Sequence, residues 1–70
     1  MMANHVYKKV ELVGSSPDSI EAAIESAVLM AGKSLKNLDW FEVIDTRGQI
    51  KDGKVAHYQV EIKVGFRIEG

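Results

Sequence analysis

The spacing of apolar residues changes along this chain, and each change marks a new element. Val6 to Val13 (VYKKVELV) mixes β-branched with charged residues and stops at Gly14, which predicts a strand. Ile20, Ala23, Ile24, Ala27, Val28, Ala31 and Leu35 then recur at helical intervals, predicting one apolar helix face of about five turns. Ser15-Ser16-Pro17-Asp18 supplies its start. Ser16 is the expected N-cap, Pro17 the first helical residue, and Asp18 sits near the positive end of the dipole. Glu21, Glu25 and Ser26 fall off the face, while Lys33 and Lys36 suit the carboxyl end. Leu29 and Met30 also fall off it. In a lone monomer they would sit partly exposed.

The second half reads as a long hairpin. Asp52-Gly53 separates two strand-like runs, a strong signal for a two-residue type I′ loop. Beyond it, Ala56, Tyr58, Val60, Ile62, Val64, Phe66 and Ile68 alternate with Val55, His57, Gln59, Glu61, Lys63 and Arg67. The first set is expected to cover the helix. With a two-residue loop, Phe41 faces Val64 and Val43 faces Ile62 on that side. On the other side Trp40 meets Gly65, Glu42 meets Lys63, and Thr46 meets Gln59. The fold expected is α+β, β-α-β-β: a three-stranded antiparallel sheet wrapped around one helix, with residues 1–70 as one domain.

Composition narrows the choice of function. At 70 residues, with no cysteine, the chain has neither disulfides nor thiolate metal sites to staple a small core. Assembly into oligomers is the remaining route. Nine Lys and Arg against ten Asp and Glu give a net charge of −1, with no basic excess for a nucleic-acid backbone. The apolar stretch Ser26 to Gly32 is far too short for a membrane span. Met1-Met2-Ala3-Asn4-His5 has no apolar signal core. A cytoplasmic location is expected.

The register isolates one oddity. Trp40, the single tryptophan, points away from the helix, and opposite it Gly65 has no side chain to cover the indole flank. Such a residue serves either as an oligomer-interface anchor or as a stacking platform for a flat aromatic ligand. Gln59 shares its face and offers amide donors and an acceptor suited to a ring edge. Trp40 and Gln59 lie roughly 20 Å apart along a regular hairpin, so a small ligand touching both needs a second subunit or a bulge near Gly48.

These residues carry a family resemblance. VYKKVELVGSSPDS, AAIESAV, LDWFEV, the Arg47-Gly48 pair and AHYQVEIKVGFRIE together resemble the dodecins, small flavin-binding proteins. The resemblance implies a homododecamer built from trimers, with flavin rings paired at subunit two-folds. Each ring is then held between a tryptophan and a glutamine, here Trp40 and Gln59, and the indole quenches flavin fluorescence. Arg47 matches the arginine that compensates the phosphate in FMN-binding members, favouring FMN over riboflavin. Asp45 matches a position near the ribityl chain. Arg67 matches one near subunit junctions, where some bacterial members also bind coenzyme A. The simple register places Arg47 on the helix-covering face opposite Tyr58, which conflicts with a phosphate role. An irregularity at Arg47-Gly48 is therefore expected.

Catalytic chemistry is missing. Ser15, Ser16 and Ser19 are explained by capping, His5 and His57 lack metal-ligand spacing, and Glu42 with Lys63 reads as a cross-strand charge pair. His57, two residues from Gln59, is a candidate ligand contact. The function expected is a non-enzymatic flavin store holding FMN or riboflavin. The competing reading is an oligomeric shell for coenzyme A or another anionic metabolite, with Trp40 only an interface anchor.

Overall fold

A computed structural model of the chain describes residues 4–69. Met1 to Ala3, read above as part of a segment without a signal core, lie outside them. Strand β1 (Val6–Ser16) leads into helix α1 (Ile20–Ser34), followed by β2 (Leu38–Lys51) and β3 (Lys54–Ile68). All pairings are antiparallel and the sheet order is β1-β3-β2. This is the β-α-β-β architecture expected.

The two ends of the helix differ from expectation. β1 does not stop at Gly14 but pairs on through Ser16, which lies opposite Tyr58. Gly14 is there because β1 crosses close beneath the helix; a Cβ would run into the Ala23 carbonyl. Ser16 is thereby held in the sheet and cannot cap. Its hydroxyl instead accepts from the Asp18 amide at 3.0 Å, and Ser19 is the N-cap, accepting from Ala22 N–H at 3.0 Å. Pro17 lies in the connection rather than the first turn. The helix ends at Ser34, with Leu35 as C-cap, so it is shorter than the periodicity alone suggested.

Ala23, Ala27 and Ala31 are the helix's buried residues, and Ala23 and Ala27 meet Val60, Ile62 and Val64 of β3 in one core cluster, essentially sealed from solvent. Val10, Leu12, Ile24, Val28 and Leu38 close the rim of this core. Small helix residues against β-branched strand residues let the two elements approach closely. The helix packs on β1 and β3. β2 runs past it, leaving Phe41, Val43 and Ile50 substantially exposed.

The hairpin turns through Asp52 and Gly53 at φ 53° and 74°, the left-handed pair of a type I′ loop. Near the core the expected register holds: Trp40 opposite Gly65, Phe41 opposite Val64, Glu42 opposite Lys63, Val43 opposite Ile62. It then breaks. The ladder shifts between Val43 and Asp45, with Ile44 as the extra residue, and shifts back between Gln49 and Ile50, where Ala56 is the extra residue of β3. Between these two breaks Asp45 faces Glu61, Thr46 faces Val60, Arg47 faces Gln59 and Gly48 faces Tyr58. The expected pairings of Thr46 with Gln59 and of Arg47 with Tyr58 are thus overturned. An irregularity was expected at Arg47-Gly48; the bulges instead flank that step.

Candidate functional site

The sheet face turned away from the helix carries every candidate residue, in two groups at opposite ends. At one end, Trp40 lies across β3 from Lys9, with Gly65 between them. The indole lies on Gly65, so that a Cβ there would run into its ring carbons. The glycine is therefore a seat for the ring, not a gap beside it. Tyr7 meets the indole edge-on, ring centroids 5.1 Å apart. The indole Nε1–H donates to Glu42 Oε2 at 2.9 Å, and the same carboxylate accepts from Lys9 Nζ at 3.2 Å. Glu42 faces Lys63 in the ladder, yet its ionic partner is Lys9, reaching across β3 over the bare Gly65. The hydrogen bond from Trp40, then that from Lys9, hold the Glu42 carboxyl below the ordinary glutamate range. Trp40 remains 37% exposed.

Arg67 shares this end. It pairs with Tyr7, its amide donates to the Asn37 carbonyl at 3.1 Å, and its guanidinium lies 3.8 Å from Glu69. Asn37 adopts φ 63° and also donates from Nδ2 to the Arg67 carbonyl at 3.4 Å. It thus ties the helix exit to the end of β3.

The second group forms because of the bulges. They turn Asp45 and Arg47 to the same face as Gln59 and His57, and Arg47 lies directly opposite Gln59. Arg47 Nη1 contacts Asp45 Oδ2 at 3.3 Å and Glu61 Oε1 at 3.5 Å. Both contacts use one nitrogen, so Nε and Nη2 have no partner among the described residues. Gln59 is half-buried, and its amide makes no side-chain hydrogen bond among the described residues. His57 is half-buried opposite Gln49. Glu11 completes the patch: its carboxyl is raised, chiefly by a hydrogen bond to Glu61 and by repulsion from it, against the pull of Lys63.

Trp40 and Gln59 therefore share a face but not a neighbourhood. Gly65 to Gln59 along β3 is roughly 20 Å at strand rise, and the bulges do not fold one onto the other. Sequence reasoning placed Trp40, Gln59, His57 and Arg67 on this face, and missed Tyr7, Lys9 and the true partner of Glu42. The signal for those lay in Gly65, whose missing side chain lets groups on β1 and β2 meet. No group of residues with metal-holding geometry occurs among the described residues, nor a helix long and apolar enough to cross a membrane.

Comparison with known proteins places the fold in a family. The Dodecin family model matches residues 6–69. The chain belongs to the dodecin family. A curated dodecin from Thermus thermophilus is 56% identical over 64 residues, covering 91% of this chain and 93% of that protein. The dodecin structure from Streptomyces coelicolor superposes with a TM-score of 0.94 at 54% identity, covering 99% of each chain. That from Streptomyces davaonensis gives 0.93 at 47% identity, covering 97% of this chain and all of its own. Dodecins are small binding proteins, and the β-α-β-β fold seen here is theirs.

Proposed function

We propose that this dodecin is a flavin store, not an enzyme: it binds FMN at interfaces between its own copies, with Trp40 and Gln59 holding the ring and Arg47 compensating the phosphate. The observation that carries this reading is the pair of bulges. Without them Arg47 would face the helix side; with them it stands opposite Gln59, on the face that bears Trp40.

The residues suit such a ligand. Trp40 presents a partly exposed indole already seated on one side. Gln59 has amide donors and an acceptor not drawn into side-chain bonds among the described residues, matching a ring edge that alternates carbonyl and N–H groups. Arg47 is 43% exposed and keeps donors beyond its two carboxylate contacts. Asp45 and Glu61 orient that guanidinium, and in this reading Asp45 is the residue assigned to the sugar-alcohol chain. His57 stands beside Gln59 at the phosphate end. Arg67, on the far end with Trp40, is the residue for a second anionic ligand such as coenzyme A.

The separation of Trp40 from Gln59 supports a shared site. A span of roughly 20 Å exceeds any fused three-ring heterocycle, so one chain supplies the indole and another the amide. A bound flavin supplies its own redox chemistry and photochemistry. Enclosure between an indole and an amide keeps substrates from it and lets Trp40 quench its excited state, which favours storage over turnover. The subunits are expected to form a homododecamer built from trimers, in the cytoplasm.

Titrating the ligand-free protein with FMN and with riboflavin tests this. Strong, saturable quenching of flavin fluorescence is expected, tighter for FMN, and lost for the most part in Trp40→Ala. Absence of quenching, with coenzyme A still bound, would favour the metabolite shell in which Trp40 is only an interface anchor.

A further inference from the structure

The Trp40 end contains more machinery than a stacking ring needs. An indole on an open sheet face is free to swing, yet this one is restrained on three sides. Gly65 lies beneath it, Tyr7 meets its edge, and Glu42 accepts its N–H at 2.9 Å. Glu42 is in turn fixed by Lys9, 3.2 Å from the same oxygen and 3.5 Å from the other. The chain Trp40–Glu42–Lys9 spans all three strands over the bare Gly65. A charged acceptor forms stronger, more directional hydrogen bonds than a neutral one.

We propose that Glu42, held by Lys9, is the positioning residue of the Trp40 platform, fixing the indole flat on Gly65 before any ligand arrives. This inference rests on the reading of Trp40 as a stacking residue. Its consequence is preorganisation: the ligand meets a ring already ordered and does not bear the entropy of ordering it. Glu42 need not touch the ligand. Gly65 is the second half of the same device, because any side chain there would lift the ring from its seat.

The test uses the assembled protein with Glu42→Ala, Glu42→Gln and Gly65→Ala. Native mass and far-ultraviolet circular dichroism check each variant's fold. Because the chain has a single tryptophan, the near-ultraviolet dichroism of ligand-free protein reports the order of that ring, and FMN titration reports the platform. Glu42→Ala is expected to lose the tryptophan band and to weaken FMN binding about tenfold. Glu42→Gln keeps a side-chain carbonyl acceptor of the same reach; it should retain the band and stay within about threefold of the parent affinity. Gly65→Ala should reproduce the Glu42→Ala losses with the acceptor intact. An unchanged band in Glu42→Ala would overturn the proposal, whatever happens to affinity. So would a lost band with undiminished FMN binding. If the parent protein binds no FMN, the flavin reading fails, and the band comparison among the ligand-free variants still decides whether Glu42 positions the ring.

Discussion

At the residue scale, the charges of the exposed face are arranged in opposition, and pH separates them. Glu11 titrates above the ordinary glutamate range because Glu61 shares a hydrogen bond with it and repels its charge. The folded state therefore binds that proton more tightly than the unfolded chain does. Its contribution is full below the unfolded glutamate pKa and is lost as pH rises through the raised native value. Glu42 behaves oppositely: its contribution is present above the unfolded value and is lost as pH falls through the lowered one. Glu11→Gln should raise the thermal midpoint near neutral pH and flatten its change as pH rises above the ordinary glutamate range; an unchanged profile would show that the Glu11–Glu61 contact is immaterial. Arg47 is the cation among these carboxylates. Arg47→Ala should weaken FMN binding about tenfold or more, leave riboflavin nearly unaffected, and so erase the preference between them in paired titrations. Equal losses for both flavins would mean that Arg47 acts on the ring or the fold. Of these roles, that of Arg47 was legible only through family likeness. The Glu11–Glu61 contact was not legible at all, since it depends on which strand sits in the middle of the sheet.

At the element scale, the hairpin was readable at its turn and near the core, but not between. Asp-Gly demands positive φ at both loop positions, and both residues adopt it. Gly53 has open space around it, so the conformation alone opposes a side chain there. Gly53→Ala should cost about 1 kcal/mol by denaturant titration and leave FMN affinity unchanged, because the tip lies away from both binding groups. A loss of binding would place the tip in the site. The bulges left no comparable mark. Ile44 and Ala56 are ordinary strand residues, and strict alternation through β3 argues for an unbroken ladder. The helix start failed for a related reason. Ser16 and Ser19 are equally good caps by sequence, and the pairing of Ser16 with Tyr58 decides between them.

At the scale of the whole molecule, the chain is too open to be complete. It spans 59 × 20 × 14 Å with a radius of gyration of 14.8 Å, where a compact chain of this length would have about 11 Å. It exposes 5273 Å², roughly 900 Å² more than a compact monomer of its mass. That excess is of the order that one partner loses in a standard interface, about 800 Å². Much of it is apolar: Phe41, Val43, Ile44 and Ile50 along β2, Leu29 and Met30 on the helix. Stability should therefore depend on protein concentration, because association draws on the folded state alone. Phe41→Glu should shift native mass toward the monomer and lower the thermal midpoint, as measured by native mass spectrometry and calorimetry. A variant that kept the parent mass would exclude this strip from the contacts.

The chain's own pattern determined what local chemistry can specify: one helix with an alanine-rich face, a type I′ turn, a strictly alternating β3, and a tryptophan opposite a glycine. Each depends on residues close in sequence or on a register counted from the turn. Only the tertiary structure decided that β3 lies between β1 and β2, that Lys9 reaches Glu42 over Gly65, and that Arg47 stands opposite Gln59. The physical reason is the period of two in a strand. A single extra residue moves every later side chain to the other face, and whether the sheet accepts it depends on twist and packing across strands, which neighbouring residues do not encode. The short chain first suggested an assembly for lack of core; its open shape and divided site now give that suggestion a geometry.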